Sequence, residues 1–182
     1  MQWESLKKQC LNCTSCDLCK TRNNVVFGVG NIKTDIMFIG EGPGEQEDLK
    51  AEPFVGPAGK LLDDMLSIID LDRSNVYIAN IVKCRPPMNR DPSDEEQDAC
   101  IGYLQQQIDL IAPKIIVCLG RIAAKRMIDP EYRITRQHGT WEYKNGIWMT
   151  AILHPSALLR DVSKRPEAFR DLLSIREKIL QV

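Results

Sequence analysis

The chain has 182 residues, enough for one compact domain with a substantial core, and its 43% hydrophobic and 27% charged residues are ordinary for a soluble globular protein. No apolar run reaches the roughly 18 residues that span a bilayer, and the N-terminus lacks the apolar core of a signal peptide. A cytoplasmic protein with one domain over residues 1–182, acting as a monomer and without a membrane partner, is therefore expected. The net charge of −1 gives no global attraction to nucleic acid. Any such contact must come from local groups, either Lys83, Arg85 and Arg90 or Arg160, Lys164, Arg165 and Arg170.

The first feature in chain order is a run of cysteines, Cys10, Cys13, Cys16 and Cys19, each separated from the next by two residues. Such steps let thiolates converge on one metal or cluster, and a reducing compartment argues against disulfides. Cys84 and Cys100 follow later. Spacing leaves two ligand sets open: the N-terminal four alone, or two of them with Cys84 and Cys100, which would pin an N-terminal arm to the body. Iron–sulfur and zinc both remain open as occupants. Unmetallated thiols clustered in this way would be an oxidation liability. Cys118 lies in an apolar segment and reads as a small buried residue.

Four short segments read as strands: 34–40, 75–82, 114–120 and 148–153. They are apolar nearly throughout rather than alternating, as strands covered on both faces are. Helical patterns occupy 58–69, 93–111, 121–128 and 166–180, the second opening on a capping box of Ser93 and Glu96. Residues 139–147 suit a hairpin turning at Asn145-Gly146. The alternation predicts an α/β fold, a three-layer α/β/α sandwich around a central, mainly parallel four-stranded sheet. Ligands in such folds sit at the carboxyl ends of the strands.

Three polar residues lie at those ends. The first strand runs into Gly40-Glu41-Gly42-Pro43-Gly44, which lacks Gly-x-Gly-x-x-Gly spacing and carries Glu41, Glu45, Glu47 and Asp48, a poor phosphate cradle. A carboxylate on such a turn can instead position a water or stabilise a developing cation. Asn80 interrupts an apolar strand and must find a partner; its amide matches the O4/N3–H edge of uracil, whereas cytosine presents the reversed pattern. His154 follows the last strand and precedes Pro155-Ser156, while His138 has no comparable setting.

Taken together, Cys13-Thr-Ser-Cys16, Val25-Val-Phe-Gly28, Gly40-Glu-Gly-Pro-Gly44, Pro53-Phe-Val-Gly56, Asn80-Ile-Val-Lys-Cys84-Arg-Pro-Pro87, Leu110-Ile-Ala-Pro113 and His154-Pro-Ser156 resemble the family 4, iron–sulfur uracil-DNA glycosylases. The resemblance runs in order from residue 13 to about 160. It implies an enzyme that flips uracil out of DNA and hydrolyses its glycosidic bond, leaving an abasic site for base excision repair. It selects Cys13, Cys16, Cys84 and Cys100 as ligands of a structural [4Fe–4S] cluster, with Cys10 and Cys19 as a departure. It implies that Glu41 and the backbone of Gly42 handle water, Phe54 stacks on the base, Asn80 reads its edge and His154 contacts O2. Leu158, Leu159 and Arg160 would lie in a loop that enters the duplex. Residues 48–54 lack the basic, histidine-bearing insert of a covalent-binding relative, which argues for turnover. The rival expectations are a non-catalytic DNA-binding module of the same fold and a ferredoxin-like electron carrier, the latter leaving most of the chain unexplained.

Overall fold

The computed structural model describes residues 1–182. In chain order its main elements are α1 (Gln2–Leu11), β1 (Val29–Gly30), β2 (Ile36–Gly40), α2 (Glu45–Lys50), α3 (Pro57–Ile68), β3 (Tyr77–Asn80), α4 (Asp94–Ile111), β4 (Ile115–Leu119), α5 (Arg121–Met127), α6 (Ile134–Gln137), β5 (Glu142–Lys144), β6 (Ile147–Ile152), α7 (Pro155–Arg160) and α8 (Arg165–Gln181). The strands lie in the order β1-β3-β2-β4-β6-β5. The central four, β3, β2, β4 and β6, are parallel, and the edge strands β1 and β5 are antiparallel to their neighbours.

The pleat divides the strand residues between two layers of helices. Ile36, Phe38, Ile78, Val117 and Ile152 face α3, α7 and α8, while Met37, Ile39, Ala79, Ile116 and Cys118 face α4 and α5. Both faces are therefore dry, which is why the strands are apolar at consecutive positions rather than at alternate ones. The four parallel strands are those the sequence predicts. The two edge strands enlarge the sheet to six, and β1, at two residues, is too short to carry a sequence pattern. The predicted hairpin forms with its turn in place: Asn145 at φ 52° and Gly146 at φ 82° give the paired left-handed conformation of a tight two-residue turn. Ser93 and Glu96 form the expected reciprocal cap at the start of α4.

The N-terminal arm is more ordered than its composition suggests. Leu6 and Cys10 of α1 pack with Leu18, Val25, Phe27 and Cys84 in a separate small core. Trp3 meets Phe27 and Tyr77 edge-on, each at 5.4 Å between ring centres. Beneath this contact lies a buried polar hub. Gln107 of α4 donates to the Phe27 carbonyl at 2.9 Å and to the Tyr77 hydroxyl at 3.1 Å, and it accepts from the Lys83 ammonium at 2.7 Å. Lys83 is only 1% exposed, so it belongs to the core and is corrected as a DNA-contact candidate. Burial pulls its ammonium down to about 8, with the Cys10 and Cys100 thiols acting in the opposite sense.

Gln107→Leu breaks all three hydrogen bonds and strands a buried cation. Denaturant unfolding is expected to show a loss of about 2–4 kcal/mol. A change below about 0.5 kcal/mol, the size of an ordinary surface substitution, would contradict the hub.

Candidate functional site

β2 leads by way of α2 into α3 on one face of the sheet, and β4 leads into α5 on the other. The chain thus diverges between two adjacent strands, and a crevice opens at their carboxyl ends. The register pairs Ile39 with Cys118, so Glu41 and Arg121 emerge side by side just beyond the two strands. A cleft of about 550 Å³ lies there, with Glu41, Gly42, Asp91, Arg121, His154 and Arg160 among its walls.

Glu41 is held from behind by its backbone, whose carbonyl accepts from the Val82 amide at 3.1 Å. Its carboxyl is pushed up to about 7, first by burial and then by the charge and hydrogen bond of Asp91, against the opposing charge of Arg121. Asp91 is held below the usual carboxylate range by its hydrogen bond with Arg121, at 2.7 Å between Nη2 and Oδ2. The other acids of the glycine loop have different jobs. Glu47 accepts from the Gly44 amide and caps α2, while the buried Asp48 carboxylate accepts from Asn23 and Asn24 and ties the arm to the loop.

Behind the cleft wall, Gly40 closes β2 against two predicted residues. A Cβ there would lie 2.5 Å from Asn80 Oδ1 and 2.6 Å from the Phe54 ring, so only glycine lets them meet. Asn80 is 2% exposed, and its Oδ1 has no hydrogen-bond partner within the protein. A buried acceptor left in this state costs about 1–3 kcal/mol unless a ligand supplies the missing donor. Phe54 has φ 54°, in the left-handed region that a bulky residue rarely adopts. Arg73 holds it there by donating to the Phe54 carbonyl and, at 2.8 Å, to the Pro53 carbonyl, while its Nε bonds Asp63 at 2.7 Å.

His154 caps α7, and its ring lies 5.6 Å from that of Phe54. Nδ1 accepts from the Ser156 amide at 3.0 Å and stands 2.7 Å from the Ser156 hydroxyl. An acceptor at Nδ1 places the ring proton of the neutral tautomer on Nε2. Burial, reinforced by the charge of Arg160, pulls the imidazole down to about 4, so the ring is neutral at physiological pH. Gly120, at φ 89°, comes so close to His154 that a Cβ would sit 2.9 Å from the histidine Cβ.

Leu158, Leu159 and Arg160 lie on α7, not in a loop. Leu158 is 1% exposed and turned into the core, whereas Leu159 is 42% exposed and Arg160 borders the cleft. Arg165 and Arg170 lie on exposed positions of the neighbouring helix α8. The structure therefore brings Glu41, Gly42 and His154 together on one wall, with Phe54 and Asn80 buried directly behind. Sequence reasoning missed Arg73, Asp91 and Arg121, and it named Ser156 in a motif without a role of its own. Of these, Arg121 was within reach, since it follows a strand-ending glycine as Glu41 does; Asp91 sits in a loop with no pattern to mark it.

Six of the seven cysteines, all but Cys118, line one pocket between the arm and the body. None forms a disulfide, and no three are drawn together closely enough to share one metal ion. Burial pushes Cys10 up to about 12 and Cys100 up to about 11, and raises Cys84 and Cys16 as well. Burial acts the same way on Cys13, but hydrogen bonds from Ser15 and Tyr103 and the nearby Arg22 bring it below its usual value. Arg22 donates to Cys84 Sγ at 3.3 Å and to the Cys13 carbonyl at 2.7 Å, bridging arm and body. Thiols gathered around a shared pocket and backed by a cationic donor are compatible with an iron–sulfur cluster.

Residues 27–175 match the model of the uracil DNA glycosylase superfamily. The chain is 46% identical to a type-4 uracil-DNA glycosylase of Archaeoglobus fulgidus, over 96% of this chain and 92% of that protein. It is 45% identical to type-4 uracil-DNA glycosylases of Sulfurisphaera tokodaii, over 96% of this chain and 83% of that protein, and of Thermotoga maritima, over 88% and 84%.

The His154 ring carbons, followed by NMR, are expected to titrate with a midpoint near 4. A midpoint near the free-histidine value of about 6.5 would contradict the buried, Nε2-protonated ring.

Proposed function

The chain belongs to the uracil DNA glycosylase superfamily, and on that premise we propose that residues 1–182 act as one domain that flips uracil out of DNA and hydrolyses its N-glycosidic bond, releasing free uracil and leaving an abasic site. The observation that carries this reading is the orphaned, buried Oδ1 of Asn80 beside Phe54. Uracil N3–H would donate to that oxygen, and uracil O4 would accept from Nδ2. Cytosine has an acceptor at N3 and a donor at C4, so both contacts become repulsive.

The remaining residues divide the reaction between them. Phe54 presents a ring for the base to stack on. As the C1′–N1 bond breaks, its electron pair moves onto uracil, and the Nε2–H of neutral His154 stabilises the charge gathering on O2. Glu41, beside the Gly42 backbone, orients a water toward C1′ and accepts its proton as the C1′–O bond forms. The carboxylate also stabilises the cationic sugar before the water arrives. The exposed Leu159 fills the space the base vacates, supported from the core by Leu158, and Arg160 meets the phosphates.

Cys13, Cys16, Cys84 and Cys100 would hold a [4Fe–4S] cluster, with Cys10 and Cys19 completing the pocket wall. When bound, the cluster supplies a tie between arm and body rather than an electron-transfer step. The enzyme is read as a monomer acting on uracil-containing DNA in the cytoplasm, where reducing conditions keep its cysteines out of disulfides. No helix is long and apolar enough to cross a membrane.

Alkali treatment of a uracil-containing oligonucleotide should cut the strand after incubation with the protein, and an intact strand at enzyme excess would overturn the reading. His154→Ala should lower the single-turnover rate about 10²–10³-fold, as loss of an anion-stabilising donor does. Asn80→Asp should gain release of cytosine; unchanged selectivity would remove Asn80 from edge reading. The purified protein should be brown, absorbing near 400 nm as thiolate-ligated clusters do at roughly that wavelength. Colourless protein carrying one zinc would contradict the cluster.

A further inference from the structure

We propose that Asp91, paired with Arg121, is a positioning residue for Glu41: the protonated Glu41 carboxyl donates a hydrogen bond to the Asp91 carboxylate, and once Glu41 gives up that proton the Asp91 anion turns the Glu41 carboxylate away from itself and toward the cleft. The inference rests on the role given to Glu41 above and extends it to Asp91 and Arg121.

The geometry is built from three separate elements. Glu41 follows β2, Arg121 opens α5 after the adjacent strand β4, and Asp91 lies in the loop before α4, yet all three line the same cleft. Arg121 Nη2 reaches Asp91 Oδ2 at 2.7 Å, and that ion pair fixes the acceptor. The loop is held from its other side as well, because Arg90 grips Glu96 through two hydrogen bonds of 2.6 and 3.0 Å. Asp91 is exposed, and these contacts bias where its carboxylate sits at the rim of the cleft.

The consequence is chemical. Two carboxyls in hydrogen-bond contact retain one proton between them, and the Arg121 cation decides which of them gives it up. Asp91, next to the cation, is the ionised partner, and Glu41 keeps the greater proton affinity. A carboxylate of raised basicity takes a proton from water more readily than an ordinary glutamate does near neutral pH. The other charged or titratable groups around this cleft are Glu47 of α2, Arg90 of the same loop as Asp91, and His154 and Arg160 of the α7 region. None of them is paired to Glu41 by a hydrogen bond.

The test is a direct titration of Glu41 in the free protein by carboxyl-carbon NMR, with Glu41→Gln assigning the signal. The wild-type midpoint is expected near 7. Asp91→Asn should lower it by about one unit or more, and Arg121→Gln should raise it, each by removing one neighbouring charge. A merely structural role would not move the two variants in opposite directions. Midpoints that stay put, or shift together, overturn the inference. In uracil release, the acid limb of the kcat/KM profile should follow the same two directions, and Asp91→Asn should lower kcat about tenfold to a hundredfold with KM little changed. Protein that releases no uracil at any pH would sink the proposed function, while the titration still decides Asp91 on its own.

Discussion

Gly40 ends the central strand without a side chain, and the site depends on that gap. The Phe54 ring and the Asn80 amide occupy the space where any other residue would place a Cβ. Asn80 is carried in by strand pairing, since the register sets it directly opposite Gly40. Phe54 arrives from the opposite side in a left-handed conformation that Arg73 enforces. Neither residue reaches this arrangement by local preference. The sheet supplies the position, and the absence of one methyl-sized group allows the contact.

The same sheet explains why the reacting groups gather at one edge. Parallel strands all deliver their carboxyl ends to one side, and the divergence between β2 and β4 leaves a crevice that helices do not cover. Glu41, Arg121 and His154 leave three neighbouring strands within that crevice. Burial and then Asp91 raise Glu41, Arg121 lowers Asp91, and Ser156 fixes the tautomer of His154. On the far side of the sheet edge, Gln107, Lys83 and the cysteine pocket bind the arm to the body through buried polar contacts rather than apolar area alone.

Much of the fold could be read from the residues. Uniformly apolar strands, the Ser93 cap and the Asn145-Gly146 turn each act through local chemistry that sequence displays. The edge strand Val29–Gly30 and helix α1 could not be read, because their stability comes from long-range contacts with Tyr77 and with the cysteine core. In the site, Glu41, Asn80 and His154 stand out because each breaks an apolar or glycine-rich pattern at a strand end. Asp91 and Arg73 break no pattern, and their meaning comes only from what they touch. Leu158 shows the opposite failure: its motif suggested a tip, yet helical spacing turns its side chain into the core and leaves Leu159 outside.

The most direct measurement is a crystal structure of the Glu41→Gln protein bound to a duplex containing one uracil. The expected result is an extrahelical uracil stacked on Phe54, with N3–H on Asn80 Oδ1, O2 facing His154 Nε2, and Leu159 in the vacated stack. A uracil still paired in the helix, or bound away from the Gly40 recess, would contradict the central claim.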